Sequence, residues 1–214
     1  MNINIKKTFL LVSTVFVIAL STSCGGSKVT VIDGSSGGSR LVDYRDEQAY
    51  RTVKIGGQVW MAENLNFETD SSWCFDNDES KCEKYGRLYS WGAAMSACPD
   101  LWHLPSRDEW DALVKAAGGK VAGKKLKAAT AWNGKGGTDE FGFSALPGGF
   151  RIEFGIPDES PFVDNGGNVG SWWSATKDKN GAPYNRYMNT DLNEVNEASR
   201  GYDGHGLSVR CVQD

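Results

Sequence analysis

The sequence predicts an α+β domain with two short helices, small antiparallel sheets and long Gly-rich loops. Apolar residues recur with helical spacing in two early stretches, 91–98 and 106–117, whereas beyond Trp132 they fall into short strand-like runs separated by glycines. The 214 residues are 40% hydrophobic and 23% charged, which suits one sizeable folded domain and excludes wholesale disorder. A net charge of −4 offers no basic face, so no nucleic-acid partner is expected.

Each element has a local cause. Tyr50–Ile55 and Gln58–Met61 flank Gly56-Gly57, a two-residue turn signal, and read as a hairpin. Arg87–Tyr89 is a short strand. A helix over 91–98 is capped by Ser90, has Trp91, Ala94, Met95 and Cys98 on one face, and is stopped by Pro99. Ser106 and Glu109 form a capping box for the second helix, whose apolar face is Trp110, Leu113, Val114 and Ala117 and which ends at Gly118-Gly119. Residues 124–129 add a helical turn. Strands are expected at 148–154, 170–176, 185–189, 194–200 and 206–212.

Residues 1–23 read as an export signal. Lys6 and Lys7 precede an apolar run from Phe9 to Leu20, too short for a comfortable membrane span, and small residues lead to Cys24. This resembles a bacterial lipobox, with Ser21 where leucine is usual and Leu20 one position further out. The resemblance implies lipidation of Cys24 and an exported protein anchored in the cell envelope, at the outer membrane. Residues 24–48 lack hydrophobic periodicity and read as a flexible tether, leaving 49–214 as the domain.

Of five cysteines, Cys24 is assigned to lipid, and Cys74, Cys82, Cys98 and Cys211 remain. An even number in an exported chain points to disulfides rather than zinc, because no close pair of cysteines has metal-ligand spacing. Three pairings are possible. Cys74–Cys82, closing a polar loop, with Cys98–Cys211, tying the middle of the chain to its last strand, is preferred.

Four segments together resemble a known family: YRTVKIGGQVWMAENLN at 50–66, YGRLYSW at 85–91, CPDLWHLPSRDEW at 98–110 and LSVRCV at 207–212. They are similar to the Fibrobacter succinogenes major paralogous domain of bacterial exported proteins and lipoproteins, and the likeness runs from about residue 50 to the end. That family is in turn similar to C-type lectin-like domains, and LPSRDEW also resembles the formylglycine-generating enzyme and its non-catalytic relatives. The resemblance implies a C-type lectin-like fold in which Cys98 in the first helix pairs with Cys211. It implies a setting more than an activity.

Chemistry finds little support. Calcium-dependent lectins use Glu-Pro-Asn or Gln-Pro-Asp with Trp-Asn-Asp; here the nearest matches, Ile156-Pro157-Asp158 and Trp132-Asn133-Gly134, each lack an oxygen ligand. Asp76–Glu79 reads as an acidic solvated loop, and the acids near Asp191 and Glu194 likewise. His103 reads as structural and His205 as a turn residue. Glycine-rich stretches lack a phosphate-loop Lys, and no nucleophile motif appears. No catalytic residue, cofactor or metal is therefore expected.

Aromatics carry the remaining signal. Trp60, Trp91, Trp102 and Trp110 are assigned to the core. Trp132, Trp172, Trp173, Tyr184, Tyr187 and Tyr202 lie in the Gly-rich half and are the candidate ligand-binding residues. They either pack beneath long loops or present rings to a sugar face or a protein. Adjacent Trp172 and Trp173 on a strand face opposite ways, so one is exposed unless a loop covers it. The expected function is a non-catalytic lectin-like domain binding an extracellular polysaccharide or protein, membrane-held through its lipid. An enzyme with an unrecognised site and a purely structural envelope component are the alternatives.

Overall fold

The structure is a computed structural model that describes residues 39–134, 136–153, 159–163, 167–199 and 203–214. The export signal, Cys24 and Tyr202 lie outside the described residues.

The chain opens with β1 (Arg40–Asp43), β2 (Gln48–Ile55) and β3 (Gln58–Met61), then β4 (Ser72–Trp73), α1 (Glu79–Tyr85) and β5 (Leu88–Tyr89). Next come α2 (Trp91–Ala97), β6 (Trp102–His103), α3 (Arg107–Ala116) and α4 (Ala122–Leu126). The second half holds β7 (Phe150–Arg151), β8 (Phe162–Val163), β9 (Val169–Lys177), β10 (Pro183–Asn189), β11 (Asn196–Ala198) and β12 (Val212–Gln213). The strands form a five-stranded sheet, β1-β2-β3-β12-β6, a three-stranded sheet, β11-β10-β9, and two two-stranded pairs. Short helices with small antiparallel sheets make the α+β class.

The local signals act as the sequence suggests. The Gly56-Gly57 turn sets Ile55 opposite Gln58 and Val53 opposite Trp60. Ser90 Oγ accepts from the Ala93 amide at the start of α2, and Ser106 and Glu109 form a reciprocal capping box on α3. Gly86 ends α1 with φ +75°, and a Cβ there would stand 2.7 Å from Cβ of Asn64, so this turn needs glycine.

Several expectations need correction. The helices number four among the described residues, not two. α1 is unexpected and begins at the end of the acidic stretch Asp76–Glu79, which is exposed; Asp78 caps the helix by accepting from the Ser80 amide, and Cys82, bridged to Cys74, pins it. The tether ends sooner than residue 48: β1 pairs with β2, burying Leu41 and Asp43, and Asp43 holds Arg45 in an ion pair. Met95 is 46% exposed, and Ala94 and Ala97 form the buried face of α2 instead. The strand expected over 206–212 is shorter. Gly206, Leu207 and Ser208 make single bridges to Arg151, Tyr89 and Trp172, because this segment threads between sheets, and only Val212–Gln213 is a strand.

Two large hydrophobic cores result, beside a small third cluster of Phe75, Leu88 and Phe162. The first gathers Ile55, Trp60, Trp110, Leu113, Phe143, Trp172 and Met188; the second gathers Tyr50, Met61, Leu65, Tyr89, Trp173, Leu207 and Val209. β3 and β9 lie between them, so Trp60 and Trp172 enter one core while Met61 and Trp173 enter the other. Trp60 and Trp110 meet at 5.0 Å between ring centroids. The bridges Cys74–Cys82 and Cys98–Cys211 are the pairings preferred from the sequence.

Candidate functional site

The five candidate aromatics among the described residues do not form one site. Trp132, Trp172 and Trp173 are buried, and each indole N–H donates internally: to Ala145 O at 2.9 Å, to Asn64 Oδ1 at 2.9 Å and to Tyr89 O at 2.6 Å. An indole covered on both sides cannot stack on a ligand. Of the two placements left open for Trp172 and Trp173, the covered one holds for both, because β9 has a core on each side. Tyr184 is half-buried, with the Arg107 guanidinium over its ring at 4.7 Å. Arg107 in turn forks onto Glu197.

Tyr187 is different. It faces a groove of about 320 Å³ that opens over the second core. The walls are Phe150, Val169 and Leu207, and the polar groups are Ser171, Asn185 and His205. Register explains the convergence: Tyr187 pairs with Ser171 and Asn185 with Trp173, so alternation puts Val169, Ser171, Asn185 and Tyr187 on one face of the sheet. Trp173 fills the inner end of that face. Among the described residues, no hydrogen bond engages the side chains of Ser171, Asn185 or Tyr187.

His205, expected as a turn residue, belongs to this groove. Its Nδ1 accepts from the Glu153 amide at 3.1 Å. Burial, assisted by Arg151 and opposed by Glu153, holds its pKa below the ordinary histidine value. The ring is neutral at neutral pH, and with Nδ1 accepting, the proton sits on Nε2. The sequence reading misses Ser171 and Asn185; alternation around Tyr187 signals Asn185, and nothing local signals Ser171.

A larger cavity of about 500 Å³ lies between β2, the Ala62–Asn66 segment and the end of α1. Most of its charged lining is committed internally. Arg51 pairs with Glu63 at 3.1 Å, Asp139 accepts from the amide and hydroxyl of Ser144, and Lys84 sits over the Tyr85 ring. The groove differs, among the described residues, in setting a free hydroxyl and a free amide beside an aromatic ring on one sheet face.

Among the described residues no cluster of acids makes an ion site. Asp78 accepts from Ser80, and Glu79 lies 3.6 Å from Arg87. Glu79 also approaches Cys74 and Cys82, but both sulfurs are in a disulfide and are not ligands. The loop carrying Asp191 is organised by a protein cation: the buried Lys127 ammonium donates to Asn189 O and Leu192 O, each at 3.0 Å, beside the Trp132 ring. His103 is gripped between Asp214 Oδ1 at 2.5 Å and Glu109 Oε1 at 2.9 Å, a structural clamp.

A family model for the Fibrobacter succinogenes major domain matches residues 53–213. No curated protein and no solved structure matches the chain.

Proposed function

The chain belongs to the Fibrobacter succinogenes major domain family, and from that premise we propose a lipid-anchored envelope protein whose lectin-like domain binds an extracellular glycan or protein without catalysis. The observation that carries this reading is the Tyr187 groove. It sets an aromatic ring, a hydroxyl and an amide, none of them engaged by hydrogen bonds among the described residues, on a rigid sheet face. The lectin-like fold is supported by the bridge from Cys98, just past α2, to Cys211 beside the last strand. Lack of catalysis is supported by His103, whose two ring nitrogens are both held by carboxylates, and by the pairing of the four domain cysteines.

Export and lipidation of Cys24 rest on the pattern of Lys6, Lys7 and the apolar run from Phe9 to Leu20. Among the described residues no helix is long and apolar enough to cross a membrane. Incorporation of labelled palmitate, lost in Cys24→Ser, tests the anchor.

Binding is tested by screening glycans, plant polysaccharides and envelope proteins against the chain from Gly25 onward, disulfides intact, with and without EDTA. Tyr187→Ala and Asn185→Ala run alongside. Binding that survives EDTA and falls in both variants supports the groove. Binding unchanged in both places the site elsewhere.

A further inference from the structure

We propose that the Tyr187 groove takes an uncharged, polyhydroxylated ligand, a neutral sugar unit of a glycan, and holds it without a metal ion. This rests on the groove being the ligand site, and it selects between the ligand classes left open above.

Charge makes the first selection. Among the described residues no Asp, Glu, Lys or Arg lines the groove. The flanking cations are committed elsewhere: Arg151 lies over Trp73 at 4.2 Å, and Lys177 pairs with Asp203 while covering Trp91. His205 is neutral and accepts from a backbone amide. An ionic ligand entering this lining loses hydration and gains no opposite charge, which is costly. A neutral ligand does not meet that penalty.

Shape and hydrogen bonding make the second. A pyranose has an apolar C–H face and an equatorial rim of hydroxyls. Tyr187 and Phe150 supply rings for the first, and Asn185, with both a donor and an acceptor, matches the second. Asn196 pairs with Tyr187 across β10 and β11 and so shares its face; its amide nitrogen is buried with no acceptor among the described residues.

Size makes the third. A groove of about 320 Å³ lies at the small end of small-molecule sites, roughly 300–1,000 Å³. A stable protein interface covers about 800 Å² on each partner, more than such a groove offers. Calcium needs about six to eight oxygens including carboxylates, and none of the lining residues brings a carboxylate.

The test is titration calorimetry of the chain from Gly25 onward with neutral gluco-, manno- and xylo-oligosaccharides and with uronic-acid oligomers of equal length, all in EDTA. At least one neutral series should bind about tenfold or more tighter than the uronates. Tyr187→Ala and Asn185→Ala should weaken it at least tenfold and fivefold, while Tyr187→Phe, which keeps the ring, holds binding within about threefold and controls for folding. Tighter binding of uronates overturns the neutral ligand class while leaving the groove as the site. Neutral binding indifferent to all three variants overturns the groove itself. Binding only to an envelope protein, or to no sugar in the panel, also overturns the proposal.

Discussion

Asn64 and Arg210, 146 residues apart in sequence, are joined by a buried hydrogen bond of 2.7 Å from Nε of Arg210 to Oδ1 of Asn64. The same oxygen accepts from Trp172, and the Asn64 amide nitrogen donates to Tyr85 O and Ser208 Oγ. Arg210 also donates to the carbonyls of Met61, Phe143 and Ser144. Burial pushes its pKa down to about 9, with Glu63 opposing and Arg51 assisting, so the guanidinium stays charged at neutral pH. A buried cation held largely by carbonyls and one amide is a joint between the first hairpin, the segment after α4 and the end of the chain.

Asn64→Ala strips Arg210 and Trp172 of an acceptor at once. Each buried donor left without an acceptor costs about 1–3 kcal/mol, more for a charged group, so Asn64→Ala should lower the unfolding free energy measured in urea by about 2–6 kcal/mol. Asn64→Asp keeps the acceptor and forfeits only the donor, and should cost less. Equal losses in the two variants would show that the Arg210 contact contributes little.

The two adjacent tryptophans of β9 enter different cores, and both are fully buried. Trp172→Ala and Trp173→Ala should each destabilise by about 3–5 kcal/mol, and, touching separate cores, their effects should add approximately. Neither is a usable probe of ligand binding. Thermal melts of the two single variants and the double check this; a fold unaffected by either would contradict the sandwiched placement of β9.

These residues also mark the reach of the sequence. Ser90, Ser106 with Glu109, and Gly56-Gly57 act within a few residues of themselves, so α2, α3 and the first hairpin are legible. α1 has no apolar stripe; Asp78 caps it, but Cys82 and its bridge to Cys74 hold it in place. β1 hides in a Gly/Ser-rich stretch because its reason is pairing with β2. For the groove, Tyr187 stands out as an aromatic. Asn185, two residues earlier on β10, shares its face by alternation, whereas Ser171 joins it only through the register of β9 against β10, which no local pattern encodes.

The two bridges should differ in what they stabilise. Cys98–Cys211 spans 113 residues and Cys74–Cys82 spans 8. By loop entropy the long one contributes about 4.7 kcal/mol and the short one about 2.5 kcal/mol. Cys98→Ala with Cys211→Ala should lower global stability the more. Cys74→Ala with Cys82→Ala should mainly raise amide exchange over 79–85, where α1 is short and the bridge pins it. Uniform exchange increases across the domain in the second variant would show that α1 opens only with global unfolding.

His103 ties Asp214 to the capping box of α3, since Glu109 Oε2 accepts from the amide and hydroxyl of Ser106 while Oε1 faces the imidazole. Partial burial opposes charge on the ring, but the bonds to Asp214 and Glu109 outweigh it and raise the pKa above the ordinary histidine value. Burial likewise opposes ionisation of Glu109, but the Ser106 amide, His103 and the Ser106 hydroxyl hold its pKa below the carboxylate norm. A raised histidine pKa contributes stability that is full below about pH 6.5 and fades as pH climbs through the folded-state value. The glutamate contribution is full above its unfolded pKa of about 4.3 and fades as pH falls through the lowered value. The clamp should therefore act most strongly near pH 5–6. The ring is 41% exposed and Asp214 55%, so solvent screening keeps the pH-dependent part to about 0.5 kcal/mol, or a Tm gap of about 1–2 °C in a domain of this size. His103→Gln should melt below the parent by that amount at pH 5.5, with the gap narrowing by pH 8.5 and in high salt. A gap that is constant across pH and salt would mean that His103 acts through packing alone.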